Sequence, residues 1–105
     1  MHQLKDKVFV LVHQIPLGMV STYGDIAKFS GYPGYARQVG AILSNLPEGS
    51  ALPWHRVINS KGEISLKGDD LQRQQLRLLE EGIVFGATGK VKLKQFRWQP
   101  GVKGA

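Results

Sequence analysis

Apolar residues in the first part of the chain recur every three or four positions, which is the spacing of one helix face. The first such stripe consists of Leu4, Val8, Leu11, Val12 and Ile15. It predicts a helix that ends at Pro16-Leu17-Gly18, because proline opposes continuation of a helix and glycine suits a turn.

A second pair of helices is predicted further along. Ser21 or Thr22 can cap a short helix, and Asp25 complements the positive end of that helix. Residues 31–34 (Gly-Tyr-Pro-Gly) predict a turn, and residues 35–46 predict a longer helix with an apolar stripe. A short helix, a tight turn and a longer helix together make a candidate helix-turn-helix.

The second half of the chain predicts a small β element and one more helix. Residues 56–58 and 63–66 predict two strands joined by a turn at 59–62, a hairpin that would form a wing. A helix is predicted from Asp69 or Asp70 to Gly82, and a short edge strand near Val91 and Leu93. We also expect residues 102–105 to fray. The predicted fold is mainly α with a small hairpin, a winged helix-turn-helix.

Composition narrows the function classes. The 105 residues predict a single domain spanning 1–105, and 42% hydrophobic with 21% charged residues is typical of a globular protein. Fourteen Lys and Arg against eight Asp and Glu give a net charge of +6, with a basic tail at 89–105 that contains no acidic residue. This charge favours a polyanionic partner such as nucleic acid, although basic residues also serve solubility.

Several classes of site are excluded or disfavoured. The chain has no cysteine, so disulfides, thiolate metal sites and thiol nucleophiles are all absent. Its three histidines lack metal-ligand spacing, so we expect no metal and no cofactor. The N-terminus has no signal-peptide pattern and no stretch approaches the ~20 apolar residues that span a bilayer. We therefore expect a location in the cytoplasm, or wherever the cell keeps its DNA, with no membrane contact. We separately expect a monomer.

Three ordered segments resemble the DNA-binding domain of the alkylguanine-DNA alkyltransferases. Residues 15–27 look like the start of that domain, and residues 36–40 are similar to its recognition helix. Residues 53–57, Pro-Trp-His-Arg-Val, resemble the family's active-site Pro-Cys-His-Arg-Val. The likeness extends from about Leu11 to Gly82 and implies the winged helix-turn-helix of the alkyltransferase C-terminal domain.

The departure from the family lies at Trp54, where the resemblance places the reactive cysteine. An indole has no low-pKa nucleophilic atom, so transfer of an alkyl group to the protein is not expected. This pattern is similar to the alkyltransferase-like proteins, which bind alkylated guanine without repairing it. The resemblance implies double-stranded DNA containing O6-alkylguanine and nucleotide excision repair proteins as partners.

The resemblance also implies a role for particular side chains. Tyr23 would help to rotate the damaged nucleotide out of the duplex, and Arg37 would fill the vacated space. The implied lesion pocket comprises Tyr23, Trp54, Val57, Ser65, Leu66 and Lys67. The implied DNA contacts, made in the minor groove with little sequence specificity, are Thr22, Tyr23, Tyr35, Ala36, Arg37, Gln38 and Gly40. Lys61 at the tip of the wing is a candidate phosphate contact, although a role in solubility is the safer interpretation of any single lysine. The residues alone favour a plainer interpretation, in which Tyr23 is a half-buried turn residue and Arg37 is a solvated phosphate contact.

A supporting set of polar residues is implied as well. His55 and Glu81 would form a retained structural hydrogen-bond pair, since a relay has no thiol to deprotonate, and Arg56 would brace the loop or the helix ends. Asn45 either substitutes for a bracing asparagine that the family has at the position of Leu46, or that role is missing. The family's Tyr-Ser-Gly-Gly segment is replaced here by residues 67–70, Lys-Gly-Asp-Asp.

Two other functions stay open from the sequence. A winged-helix transcription regulator would share the scaffold but would bind undamaged DNA selectively, whereas small residues on the recognition helix argue against direct base readout. A base-processing enzyme would use His55, Glu81 or an aspartate, although acid–base groups alone do not replace a missing nucleophile.

Overall fold

The computed structural model describes residues 2–47 and 49–100. Its helices are α1 (His2–Gln14), α2 (Tyr23–Phe29), α3 (Ala36–Ser44), α4 (Gly68–Glu80) and the short α5 (Leu93–Phe96), with a 3₁₀ turn at Trp54–Arg56. Its strands are β1 (Ser21–Thr22) and β2 (Val57–Ile58). The predicted mainly helical fold and the helix-turn-helix of α2 and α3 are confirmed. Among the described residues, no helix has the length and apolar character needed to cross a membrane.

The core consists of two buried clusters on either side of the β pair. One cluster joins α1, α2 and α3 through Leu4, Val8, Val12, Ile15, Ile26, Ala27, Val39 and Val57. The other joins the β pair to α4 and the C-terminal segment through Val20, Ile58, Leu78, Ile83, Val91 and Phe96. Val57 and Ile58 contribute to opposite clusters because successive strand residues point to opposite faces. The strand β2 therefore fastens the preceding Trp54–Arg56 turn to both halves of the core.

The predicted hairpin is only half correct. Its turn forms, because the Asn59 side-chain oxygen accepts the N–H groups of Lys61 and Glu63, and Asn59 N–H donates to the Glu63 carbonyl. Residues 63–67 do not form the returning strand, however, and β2 instead pairs in parallel with β1 in the register Ser21–Val57 and Thr22–Ile58. The segment after the turn packs Ile64 against the second core cluster instead of extending a ladder.

The predicted edge strand near Val91 is also wrong. Val91 makes one antiparallel bridge with Phe85, and Leu93–Phe96 is helical. Val91 and Phe96 are both buried in the second cluster, and the helical turn at Leu93–Phe96 brings Phe96 back to the same core as Val91. Val20 then joins the tail to β1, accepting from Trp98 N–H at 2.7 Å and donating to the Phe96 carbonyl at 2.8 Å. The predicted fraying of 102–105 lies outside the described residues.

Candidate nucleic-acid interface and base pocket

Trp54 stands where the chain turns from the loop after α3 into β2. It follows Pro53, opens the 3₁₀ turn and is half-buried. The indole meets the His55 ring edge-on, with 6.2 Å between centroids and an interplanar angle of 89°. The guanidinium carbons of Arg73 and Arg77, on α4, each lie 5.7 Å from the indole centroid. The indole is therefore fixed on one side by an imidazole and faced by two cations.

An open cavity of about 240 Å³ adjoins the indole. The walls of the cavity are formed by the end of α3, the segment after α3, Trp54 and the first turns of α4. Its lining residues are Leu43, Ser44, Leu46, Pro47, Gly49, Ser50, Trp54, Leu66, Asp70, Arg73 and Arg77. Ligand pockets for drug-sized molecules begin at about 300 Å³, so this cavity suits a group no larger than a single base with a substituent.

Tyr23 and Ser65 are brought together near this cavity. The Tyr23 hydroxyl lies 3.2 Å from Ser65 Oγ, and Ser65 immediately precedes Leu66 in the cavity wall. The Tyr23 ring lies against α3 at Gly40, where an added Cβ would be 3.9 Å from two ring carbons. The start of α2 is thus linked to both α3 and the segment that borders the cavity.

Of the six predicted pocket residues, Trp54 and Leu66 line this cavity, whereas Tyr23, Val57, Ser65 and Lys67 do not. Val57 is 1% exposed and belongs to the first core cluster, because the parallel pairing of β2 turns it inward. Lys67 immediately precedes α4 as its N-cap residue, is exposed, and does not line the cavity.

The side chains of two predicted DNA contacts, Thr22 and Tyr35, interact with other residues of the protein itself. Thr22 is 1% exposed, and its hydroxyl accepts the Asp25 N–H at 3.0 Å, so it caps α2 and does not present its hydroxyl to a ligand. Tyr35 is half-buried and packs edge-on against Tyr32, with 5.5 Å between centroids. Both side chains position the helix-turn-helix.

The remaining predicted contacts lie at the surface. Arg37 and Gln38 are exposed on the first turn of α3, beside the partly exposed Ala36. No hydrogen bond or ion pair to the Arg37 side chain occurs within residues 2–47 and 49–100. Lys61 is exposed at the apex of the 59–62 turn. These side chains are therefore available to a ligand, and their contact with DNA remains a prediction.

His55, Arg56 and Glu81 form one ion-paired cluster behind Trp54. Glu81 Oε2 lies 2.8 Å from His55 Nε2, and both Glu81 oxygens accept 2.8 Å bonds from the Arg56 guanidinium. Arg56 Nη1 also donates to the Ile15 carbonyl at 2.8 Å. The expected contact between His55 and Glu81 is present, and Arg56 braces the ends of α1 and α4. The ends of α1 and α4 are thereby tied to the turn that carries Trp54.

Burial and the ion pair shift the pKa values of this cluster. Desolvation lowers the pKa of His55 below its usual 6.5, more than its hydrogen bond with Glu81 raises it. The hydrogen bond from Arg56 lowers the pKa of Glu81 below its usual 4.5. His55 is therefore neutral and Glu81 ionised near neutral pH. Such a carboxylate neutralises Arg56 and orients the imidazole.

Asn45 does not join this cluster. Its side-chain amide donates to the Ala41 carbonyl at 2.9 Å, within its own helix, and its backbone caps the end of α3. This contact favours the alternative in which the family's bracing asparagine has no counterpart here.

Sequence reasoning missed three residues of α4. Gln74 is 1% exposed and donates to the carbonyls of His55 and Val57 at 3.0 Å, which fixes the Trp54 turn to α4. Arg73 and Arg77 face the indole. Their spacing of four residues would have placed them on one helix face, but it could not have shown that Trp54 lies opposite. In the part of the chain that the structure describes, no three His, Asp or Glu residues gather as a metal site.

Comparison with known proteins agrees with this geometry. Residues 3–83 match the family model for the DNA-binding domain of 6-O-methylguanine DNA methyltransferase. The chain belongs to this family. Within the family, it is 60% identical over 100 residues to the DNA base-flipping protein of Vibrio parahaemolyticus, covering 95% of this chain and 100% of that one. It is also 44% identical to alkyltransferase-like protein 1 of Schizosaccharomyces pombe, covering 95% and 98% of the two chains.

Solved structures of the alkyltransferase family have the same fold. The S. pombe Atl1 complex with damaged DNA containing O6-carboxymethylguanine matches with a TM-score of 0.83 at 43% identity, over 95% of this chain and 98% of that one. A Mycobacterium tuberculosis OGT complex with DNA matches with a TM-score of 0.67 at 34% identity, over 73% and 48%. The predicted fold and the resemblance to the alkyltransferase-like proteins are confirmed.

Proposed function

We propose that this protein recognises O6-alkylguanine in double-stranded DNA, holds the extruded base against Trp54, and does not remove the alkyl group. The observation that carries the proposal is a base-sized cavity walled by a half-buried indole, in a chain without cysteine. Stacking on an aromatic face contributes about 1–3 kcal/mol per base in other proteins. The S. pombe relative bound to DNA with O6-carboxymethylguanine supports a lesion as the ligand.

Extrusion of the base is assigned to α2 and α3. Unstacking a nucleotide costs a few kcal/mol, and less when the base is already poorly paired, so an alkylated guanine leaves the duplex more easily than guanine does. The exposed Arg37 occupies the vacated space, where its planar fork can donate several hydrogen bonds to the orphaned cytosine. Tyr23 lies beside the rotating nucleotide. The small Ala36 and Gly40 allow α3 to approach a minor groove, whose base pattern is degenerate.

Absence of chemistry follows from the site's side chains. The resemblance aligns Trp54 with the family's reactive cysteine, and an indole N–H is only a donor. The neutral His55 and ionised Glu81 therefore have no nucleophile to activate, and their ion-paired cluster holds the Trp54 turn in place. If the protein binds a lesion without repairing it, other proteins must remove the lesion. We assign that step to nucleotide excision repair.

A binding comparison tests this proposal. Fluorescence anisotropy is measured on one duplex that carries guanine, O6-methylguanine or a larger O6-alkylguanine, with 2-aminopurine as the neighbouring base to report extrusion. We expect tighter binding and brighter 2-aminopurine for both lesions. Arg37→Ala should remove the lesion preference, whereas Lys94→Ala, at an exposed cation on α5, should weaken all duplexes alike. Equal affinity of the wild type for guanine and both lesions would reject the proposal.

Mass spectrometry of the same mixtures tests the absence of chemistry. Neither the protein nor the DNA should change mass after prolonged incubation with excess lesion duplex. Trp54→Cys should also fail to gain rapid transfer, because the segment 67–70 lacks the family's Tyr-Ser-Gly-Gly residues. An alkylated wild-type protein, a released base or an altered base would each contradict the non-enzymatic assignment.

A further inference from the structure

The two arginines that face Trp54 give the cavity a charge preference. We propose that Arg77, assisted by Arg73, makes the pocket favour O6 adducts that end in a carboxylate over neutral adducts of the same size. This inference rests on the proposed function, since it assumes that the alkylated base enters the Trp54 cavity. It adds the chemical class of the preferred adduct and the residues that select it.

Positive charge is concentrated at this one wall. Arg73 and Arg77 are one helical turn apart on α4, both line the cavity, and both guanidinium carbons lie 5.7 Å from the indole centroid. Asp70 is paired with Arg73 at 2.7 Å. No carboxylate within residues 2–47 and 49–100 forms an ion pair with Arg77. Among the described lining residues, the charged side chains are thus two cations and one anion, and Arg77 has no ion-pair partner among them.

The geometry suits a carboxylate in particular. A guanidinium presents paired N–H donors that match the two oxygens of a carboxylate, and such charge-assisted bonds are roughly twice as strong as neutral ones. Trp54 holds the guanidinium beside the place where the base would stack, through a cation–π contact. A neutral amide of the same shape offers one acceptor and no charge. The interaction with Arg77 should therefore make the carboxylate adduct bind more tightly than the amide adduct, whereas stacking on Trp54 should contribute equally to both.

A matched pair of lesions isolates the interaction between the adduct and Arg77. The probes are duplexes that carry O6-carboxymethylguanine or O6-carbamoylmethylguanine, which differ only in carboxylate against amide, beside O6-methylguanine and guanine. Because α4 is solvent-exposed here, we expect about fivefold tighter binding of the carboxylate at about 50 mM salt, the upper end for an exposed ion pair. The ratio of the affinities for the carboxylate and amide duplexes should fall towards one at high salt, because screening weakens exposed charge pairs.

Three variants assign the preference to its residues. Arg77→Gln should bring the carboxylate-to-amide ratio close to one, and Arg77→Lys should retain part of it because the charge remains. Lys94→Gln removes the same charge away from the cavity and should leave the ratio unchanged. Thermal melting confirms that each variant is folded, and the salt series on the wild type tests the proposal without any variant.

Each adverse outcome has a distinct meaning. Equal wild-type affinity for the carboxylate and amide duplexes, with O6-methylguanine still preferred over guanine, overturns this inference and leaves the proposed function intact. A wild-type preference that survives Arg77→Gln and the double change of Arg73 and Arg77 to Gln also overturns it. If Arg77→Gln weakens all four duplexes equally, the guanidinium binds a DNA phosphate and the inference is again wrong.

Discussion

Replacing Glu81 by glutamine should destabilise the protein by about 2–3 kcal/mol, through loss of the charge that neutralises Arg56. Three contacts of 2.8 Å depend on this carboxylate, two with Arg56 and one with His55. Breaking a fully buried ion pair costs about 3–5 kcal/mol, and we reduce this because the side chains of Arg56 and Glu81 are 14% and 15% exposed. The substituted amide keeps the shape and one acceptor, so the loss reports the charge and not a cavity.

Urea unfolding followed by circular dichroism measures this cost. The urea concentration at the midpoint of unfolding should fall, while the slope of the unfolding free energy against urea concentration stays constant. This combination indicates a change in stability and not in the surface exposed on unfolding. The melting temperature should drop by about 10 °C or more for a domain of this size. The neighbouring Glu80→Gln is the matched control, since Glu80 is exposed and should change stability by less than about 0.5 kcal/mol. If Glu81→Gln lies within that same range, the cluster does not hold the Trp54 turn.

Two further predictions concern pH and one glycine. Because folding lowers the pKa of both His55 and Glu81, the unfolded chain binds protons that the folded chain does not, so stability should fall as the pH drops below 6.5 and again below 4.5. In urea unfolding across this range, His55→Gln should abolish the fall in the upper window and reduce the fall in the lower one, because the hydrogen bond with His55 also lowers the pKa of Glu81. Gly62→Ala should cost about 2–4 kcal/mol, because φ is +80° and its Cβ would lie 2.6 Å from the Val91 carbonyl oxygen. The control Gly34→Ala, with φ +88° and no described neighbour within 4 Å, should cost only about 1–2 kcal/mol, and equal melting temperatures would contradict the close contact.

The candidate site shows where sequence reasoning stops. The pairing of His55 with Glu81 across 26 residues is predicted because the family resemblance supplied both partners. Bracing by Arg56 is predicted as well, but its bond with Glu81 across 25 residues is seen only in the structure. The resemblance did not supply the exclusion of Val57 and Lys67 from the cavity. The parallel pairing of β2 with β1 buries Val57 in the first core cluster, and Lys67 is exposed at the start of α4.

The sequence by itself determined the four main helices, the turns between them and the loss of any thiol chemistry. These follow from local patterns: apolar residues every three or four positions, a capping Thr22, and the absence of cysteine. Helix propensity and capping act within a few residues of the chain, so no distant partner is needed to predict them.

Only the tertiary structure decided which strand β2 pairs with, where the tail packs, and which cations face Trp54. A two-residue strand has too few ladder bonds to select its own partner, so burial of Val57 in one cluster and Ile58 in the other selects β1 instead of the segment 63–66. Arg73 and Arg77 likewise meet the indole only because Gln74, between them in sequence, is anchored to the carbonyls on either side of Arg56. Such contacts join residues far apart in the chain, and spacing along a sequence does not encode them.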